Sequence, residues 1–272
     1  MRGPAGVDRA ALLRAGPDHS RFGPAMEIAI SHALLRRVAD REISSVVRLY
    51  RPAATLAFGR LDLCSSGFDT AVREARACGF EPVLRLAGGH AAAYHPGSIV
   101  CEEILAVDRS FDCVEDRYES FACRLRTVLG SLGADVAIGE LKGEYCAGRH
   151  SLNVGGTIKV AGVAQRVVKG GALVSAAIAV EGGEQLRGVL TRVYESLGID
   201  FEPGTVGALA DELPGASVDD LVPRLADAFV GSGSPDSARL ESATLSLAGQ
   251  LLHRHTIPKG GREGGRAAKT DI

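Results

Sequence analysis

The sequence predicts an α+β fold: a mixed β-sheet with flanking helices, followed by a small C-terminal helical appendage. Three observations carry that prediction. Apolar runs of strand length alternate with stretches of helical periodicity. A Gly-Gly turn sits between two such runs, and beyond about residue 200 only helical patterns broken by proline and glycine remain. With 272 residues, 46% of them hydrophobic, the chain can bury one sizeable core. The expected division is a flexible leader over 1–23, a main domain over 24–200, the helical appendage over 201–257 and a disordered tail over 258–272.

The elements follow in order. Pro24 suits a first helical turn, and Ile28, Leu34, Leu35 and Val38 recur at helical spacing, which predicts a helix over 24–43. SVVRLY at 45–50 and AATLAF at 53–58 read as strands broken by Arg51-Pro52. Asp69 is the expected N-cap of a helix that runs through Cys78 and stops at Gly79. Strands are expected over 82–86 and 98–107. A helix is expected over 114–132, where Tyr118, Phe121, Leu125, Val128 and Leu132 share one face. Short strands follow over 135–138, 151–154 and 158–164, the last two joined at Gly155-Gly156 as a hairpin, and another strand over 173–180. Helices are expected over 184–197, 206–213, 218–229 and 238–253. The polar, Gly-rich stretch from Pro258 cannot bury enough surface to fold alone.

Charge and composition exclude some functions. A formal net charge of −2 and a pI near 6.4 give no electrostatic footprint for nucleic acid or a membrane surface. No apolar run approaches the roughly 18–20 residues that span a bilayer. The leader has no apolar stretch before a cleavage site, so a cytoplasmic protein is expected, with a monomer as the default. The six cysteines, at 64, 78, 101, 113, 123 and 146, form no CxxC pair and no zinc-like spacing, so no metal is expected. Free thiols in a reducing compartment mostly pack as small hydrophobes.

Three segments can carry chemistry. In Arg85-Leu86-Ala87-Gly88-Gly89-His90-Ala91-Ala92-Ala93-Tyr94-His95, paired glycines after a strand let a ligand approach the backbone. The alanine run beside them leaves room for a slim apolar chain. It is neither a Walker A loop nor a dinucleotide fingerprint. In Gly143-Glu144-Tyr145-Cys146-Ala147-Gly148-Arg149-His150, Cys146 sits in a glycine-flanked polar loop, with Lys142, Arg149 and His150 near enough in sequence to favour a thiolate. In Lys159-Val160-Ala161-Gly162-Val163-Ala164-Gln165, a lysine occupies a strand of small and β-branched residues, as a solvated residue or as a positioned cation. Cys101, Cys113 and Cys123 read as packing, and the Glu102-Glu103 pair as solvated carboxylates.

Taken in this order, the segments resemble the superfamily of lipoate–protein ligases, octanoyltransferases and biotin ligases, collinearly from about Glu27 to Leu213. TLAFGR at 55–60 is similar to the family's opening. RLAGGHAAAYHPGSIV at 85–100 resembles its Arg-Arg-x-Ser-Gly-Gly-Gly-x-Val-x-His loop, and GRHSLNVGGTIKVAGVAQR at 148–166 its Asn strand, Gly turn and Lys-x-x-Gly-x-x-Gln segment. The resemblance implies an acyl tunnel in which Lys159 contacts the carbonyl end of the chain and Gly88, Gly89 and His95 close over it. Arg85, His90, Tyr94, Asn153, Gly162 and Gln165 complete the implied substrate-binding set.

The transferase branch of that family carries the acyl chain as a thioester on a cysteine in the loop that Cys146 occupies here. The resemblance therefore implies Cys146 as nucleophile, with Lys159 holding the thiolate and polarising the carbonyl. The chain would be octanoyl or lipoyl, the donor an acyl carrier protein or octanoylated glycine-cleavage H protein, and the acceptor a lysine of a lipoyl domain or H protein. No cofactor is then required. The ligase branch makes an acyl-adenylate instead and would need ATP and Mg. Ala87 and His90 stand where the family has serine and a third glycine, a loss that weakens adenylate chemistry, and one more residue separates the loop from His95. A third reading is a non-catalytic relative that binds acyl chains or carrier domains.

Overall fold

The computed structural model describes residues 11–14, 22–108, 112–231 and 239–257. The first half contains β1 (Ala11–Arg14), α1 (Pro24–Ala39), β2 (Val46–Tyr50), β3 (Thr55–Phe58), α2 (Phe68–Ala77), β4 (Glu81–Leu84), β5 (Ala92–Tyr94), β6 (Ser98–Ala106) and α3 (Val114–Gly130). The second half contains β7 (Val136–Ile138), β8 (Leu152–Val154), β9 (Ile158–Val168), β10 (Gly171–Ala179), α4 (Gly183–Leu197), α5 (Leu209–Glu212), α6 (Val218–Val230) and α7 (Ser242–Leu251).

Two sheets organise these elements. The larger has seven strands in the order β1-β2-β6-β10-β9-β8-β7, and the smaller has three in the order β4-β3-β5. Pairing is antiparallel except for β1 with β2 and β3 with β4, so the expected mixed sheet is present. Strand alternation divides the large sheet cleanly. Val47, Leu49, Ile99, Cys101, Val174, Ala176 and Ile178 face α3 and α6 in one apolar cluster. The opposite face carries Val46, Ile104 and Leu173, covered by α1 and α7. A third cluster holds α2 and α4 against the small sheet through Phe58, Phe68, Val72, Leu190 and Tyr194.

The helices 201–257 do not stand apart from the body. Leu221, Leu225 and Phe229 of α6 complete the α3 cluster, while Ala248 and Leu251 of α7 complete the α1 cluster. Arg37 of α1 binds Glu241 Oε2 at 2.8 Å and Thr244 Oγ1 at 2.6 Å, which anchors α7.

Several boundaries differ from expectation. Within the stretch read as a flexible leader, Ala11–Arg14 forms a parallel edge strand on β2. The N-cap of α2 is Gly67 and Asp69 lies in the first turn, where a carboxylate still complements the helix dipole. The helix expected over 206–213 shrinks to the four residues of α5, preceded by a 3-10 turn at Pro203–Thr205. The β8–β9 hairpin is present, with Gly155 at φ 60° and Gly156 at φ 67°, the left-handed conformation that glycine adopts most easily. The tail 258–272 lies outside the described residues.

Candidate active site

A cavity of about 450 Å³ opens between the two sheets and brings the three segments together. Arg85, Gly88 and Gly89 border it from the loop after β4, Cys146 and His150 from the loop after β7, and Lys159, Gly162 and Gln165 from β9. Tyr94 lines it from β5, and burial pushes its hydroxyl pKa up. Of the cysteines, Cys146 alone lines this cavity among the described residues.

Cys146 has φ 43°, a left-handed conformation that costs a non-glycine residue on the order of 1–2 kcal/mol and persists only when its surroundings hold it. Three groups do so. The Cys146 N–H donates to Tyr194 Oη at 2.8 Å, and the Tyr194 hydroxyl donates in turn to the Ala91 carbonyl at 2.9 Å. The Cys146 carbonyl accepts from Lys159 Nζ at 3.0 Å. Arg85 Nη1 lies 3.4 Å from Cys146 Sγ and also donates to the His90 carbonyl at 2.8 Å.

Lys159 is only 1% exposed, so its charge must be matched internally. Glu144 Oε1 accepts from it at 2.9 Å and the Tyr145 carbonyl at 2.9 Å, with the Tyr145 ring centroid 4.6 Å away. Glu144 further accepts from Ser151 Oγ at 2.6 Å, Gly148 N at 3.2 Å and Leu141 N at 3.0 Å. Lys159 and Glu144 thus brace the cysteine loop from inside. The cation bonded to the sulfur is Arg85 rather than the expected Lys159.

The Gly-Gly loop is shaped around the thiol. A Cβ on Gly89 would sit 2.7 Å from Cys146 Sγ, and Gly89 has φ 103°, so no other residue fits. Behind it, a Cβ on Gly59 would fall 1.6 Å from the Gly89 carbonyl oxygen. The buried Asp62 carboxylate fixes this corner, accepting from Gly59 N at 2.8 Å and lying 2.7 Å from His90 Nδ1. At the mouth, His150 stacks on Tyr118 with ring centroids 4.9 Å apart and lies 3.3 Å from Glu115 Oε1.

Not every expected residue joins this site. His95 is buried away from the cavity. Its Nδ1 accepts from Gly97 N at 2.9 Å and its Nε2 lies 3.4 Å from the Gly182 carbonyl, so it ties β5 to the start of α4. His90 is turned to Asp62. Asn153 is also outside the lining, donating to the Gly139 carbonyl at 3.1 Å. Gln165 lines the cavity, but Arg117 Nε and the Val114 carbonyl occupy its amide. Glu102, read as solvated, is buried, and Glu103 pairs with Arg124. Cys113, read as packing, is exposed.

Three residues of the site had no role in the sequence reading. Glu144 stood beside Cys146 and Asp62 shortly after TLAFGR, so proximity to those motifs was their only signal. Tyr194, 48 residues from Cys146 and inside an ordinary amphipathic helix, gave none.

The sequence profile of the lipoyl protein ligase A/B catalytic domain matches residues 23–230. The chain belongs to that family. Among its relatives, the octanoyl-GcvH:protein N-octanoyltransferase of Geobacillus kaustophilus is 32% identical over 201 residues, covering 72% of this chain and 70% of the relative. The enzyme of the same name from Anoxybacillus flavithermus is 28% identical over 246 residues, covering 85% and 87%. The fold agrees with that of a bipartite lipoate protein ligase from Thermoplasma acidophilum, with a TM-score of 0.67 at 18% identity over 90% of this chain and 92% of the other. Within the lipoyl protein ligase family the chain thus joins a ligase-type fold to relatives named as transferases. Among the described residues, no helix is long and apolar enough to cross a membrane.

Proposed function

We propose that this protein is an octanoyl or lipoyl transferase that carries the acyl chain on Cys146 and delivers it to a lysine of a lipoyl domain or H protein. The single observation that carries the reading is the placement of Cys146: its sulfur faces the acyl-sized cavity, packs on Gly89 and is bonded by Arg85, on a backbone held in a strained conformation. A cysteine with only a packing role needs none of this.

In the first step the Cys146 thiolate, accompanied by the Arg85 guanidinium, attacks the acyl carbonyl of an octanoylated H protein or acyl carrier protein. A C–S bond forms and the donor's bond to the acyl carbon breaks; a carrier thiol leaves as its thiolate, and an H-protein lysine leaves as the neutral amine after taking one proton from water. In the second step the neutral amine of the acceptor lysine attacks the thioester. An amide forms, the C–S bond breaks to return the Cys146 thiolate, and the proton lost by the amine passes to water, so no nucleotide is consumed. Lys159 holds the loop carbonyls in place throughout.

The alternative in this family is acyl-adenylate chemistry, which would need ATP and Mg. One assay separates the two: apo acceptor, octanoyl-H protein and enzyme without ATP, read by the mass of the acceptor. Octanoylated acceptor supports the transferase. Modification only with free octanoate, ATP and Mg, undisturbed in Cys146→Ala, supports the ligase. A cytoplasmic location accords with either.

A further inference from the structure

The cavity floor changes character along its length. Across β9, β10 and β6, Gly162, Ala177 and Val100 stand in register and form a smooth apolar row. The next row on the same face is Ala164, Ser175 and Glu102. Glu102 stands two strands from Gly162, about 10 Å across the sheet, and one row further on. That diagonal is close to the reach of an extended eight-carbon chain starting near Lys159.

Glu102 is 5% exposed, and what it exposes faces the cavity. Its Oε2 accepts from Ser31 Oγ at 2.6 Å and Arg48 Nη1 at 3.3 Å. Arg48 is shared with Glu27, so two buried carboxylates surround one guanidinium. Oε1 of Glu102 has no hydrogen-bond partner among the described residues. Burial pushes its carboxyl pKa upward. Ser175, in the same row, and Ser31 line the cavity beside it, so this stretch of the floor offers hydrogen bonds where the row before it is apolar. A saturated chain ending in a methyl group would bury Oε1 without a partner, which is costly.

We propose that the preferred acyl group carries a hydrogen-bond donor, a hydroxyl or a thiol, towards its distal end, and that Glu102 Oε1 receives it. This rests on the transferase reading and narrows its substrate class. A terminal hydroxyl and a reduced dithiol present the same chemistry, and the assay has an arm for each.

The test measures the efficiency of Cys146 acylation by intact mass, using H protein loaded with octanoyl, 8-hydroxyoctanoyl or 6,8-dimercaptooctanoyl chains. One hydrogen bond to a buried carboxyl predicts at least about a tenfold advantage for the hydroxyl chain, the thiol chain or both over octanoyl. Glu102→Met is expected to erase that advantage. Octanoyl equal to or better than both polar chains in the wild-type protein would overturn the proposal, whether or not the variant folds. Acylation by octanoyl without discrimination sinks this inference and leaves the transferase intact. If no chain reaches Cys146, the transferase reading fails, and calorimetry with free 8-hydroxyoctanoate and octanoate decides the pocket. Tenfold tighter binding of the hydroxy acid upholds it, and equal binding overturns it.

Discussion

Lys159 Nζ donates to the carbonyl oxygen of Cys146 at 3.0 Å and to Glu144 Oε1 at 2.9 Å. The lysine therefore acts on the backbone that presents the thiol. Removing it strands a buried carboxylate, and loss of one partner of a buried pair costs about 3–5 kcal/mol. Lys159→Met should lower unfolding free energy by that order in a urea titration. Combining it with Glu144→Gln should recover part of the loss. An unchanged midpoint would contradict the bracing role.

Arg85 is placed to act on the sulfur itself. Hydrogen bonds to charged groups are worth about 1.5–3 kcal/mol, so Arg85→Gln should slow acylation of Cys146 by roughly tenfold to a hundredfold. Burst-phase kinetics reads that step alone. The second step, measured from preformed acyl-enzyme, should change much less.

The Tyr194 hydroxyl links Cys146 N–H to the Ala91 carbonyl. Tyr194→Phe leaves both backbone groups without that partner and should destabilise by about 1–3 kcal/mol. It should also slow acylation, because the strained cysteine backbone loses one of its holders. A variant with full stability and full rate would refute this account of the φ 43° conformation.

Glycines 88 and 89 should respond differently. A Cβ on Gly88 meets nothing within 4 Å, whereas one on Gly89 meets Cys146 Sγ at 2.7 Å on a backbone only glycine adopts easily. Gly89→Ala should lose thiol reactivity towards a small alkylating reagent, and Gly88→Ala should keep it.

The pair His32 and His255 predicts the pH response. His32 Nδ1 and His255 Nε2 are 3.0 Å apart, and His255 Nδ1 donates to the Leu84 carbonyl at 2.9 Å, so both rings sit neutral between α1 and β4. Burial, with His255 and the cations Arg36, Arg254 and Arg166 adding to it, pulls the His32 pKa down to about 3. The unfolded chain takes up a proton below about 6.5 that the folded chain refuses. Stability is therefore complete above pH 6.5 and falls steadily as pH drops towards 3. Thermal unfolding across that window should show the decline, and His32→Gln should flatten it.

The layout was largely legible because its determinants are local. Helical and strand periodicity, the Gly155-Gly156 turn and Pro24 each act within a few residues. The loop position of Cys146 was legible for the same reason, since glycines flank it and no apolar run contains it. What could not be read depends on long-range closure. The partner that bonds Sγ, Arg85, is 61 residues away, and Tyr194 is 48. His95 was misplaced because a histidine after a Gly loop reads the same whether it faces the ligand or, as here, the Gly97 amide. Glu102 was misread because two adjacent carboxylates in a strand give no sign of the Arg48 and Ser31 that receive one of them.

The most direct test of the central claim is intact mass spectrometry of the enzyme after brief mixing with octanoyl-H protein and no ATP. The account predicts one octanoyl adduct on Cys146, released by hydroxylamine, absent in Cys146→Ala and chased onto apo acceptor. Acceptor octanoylated at normal rate by Cys146→Ala, with no adduct on the wild-type enzyme, would contradict it.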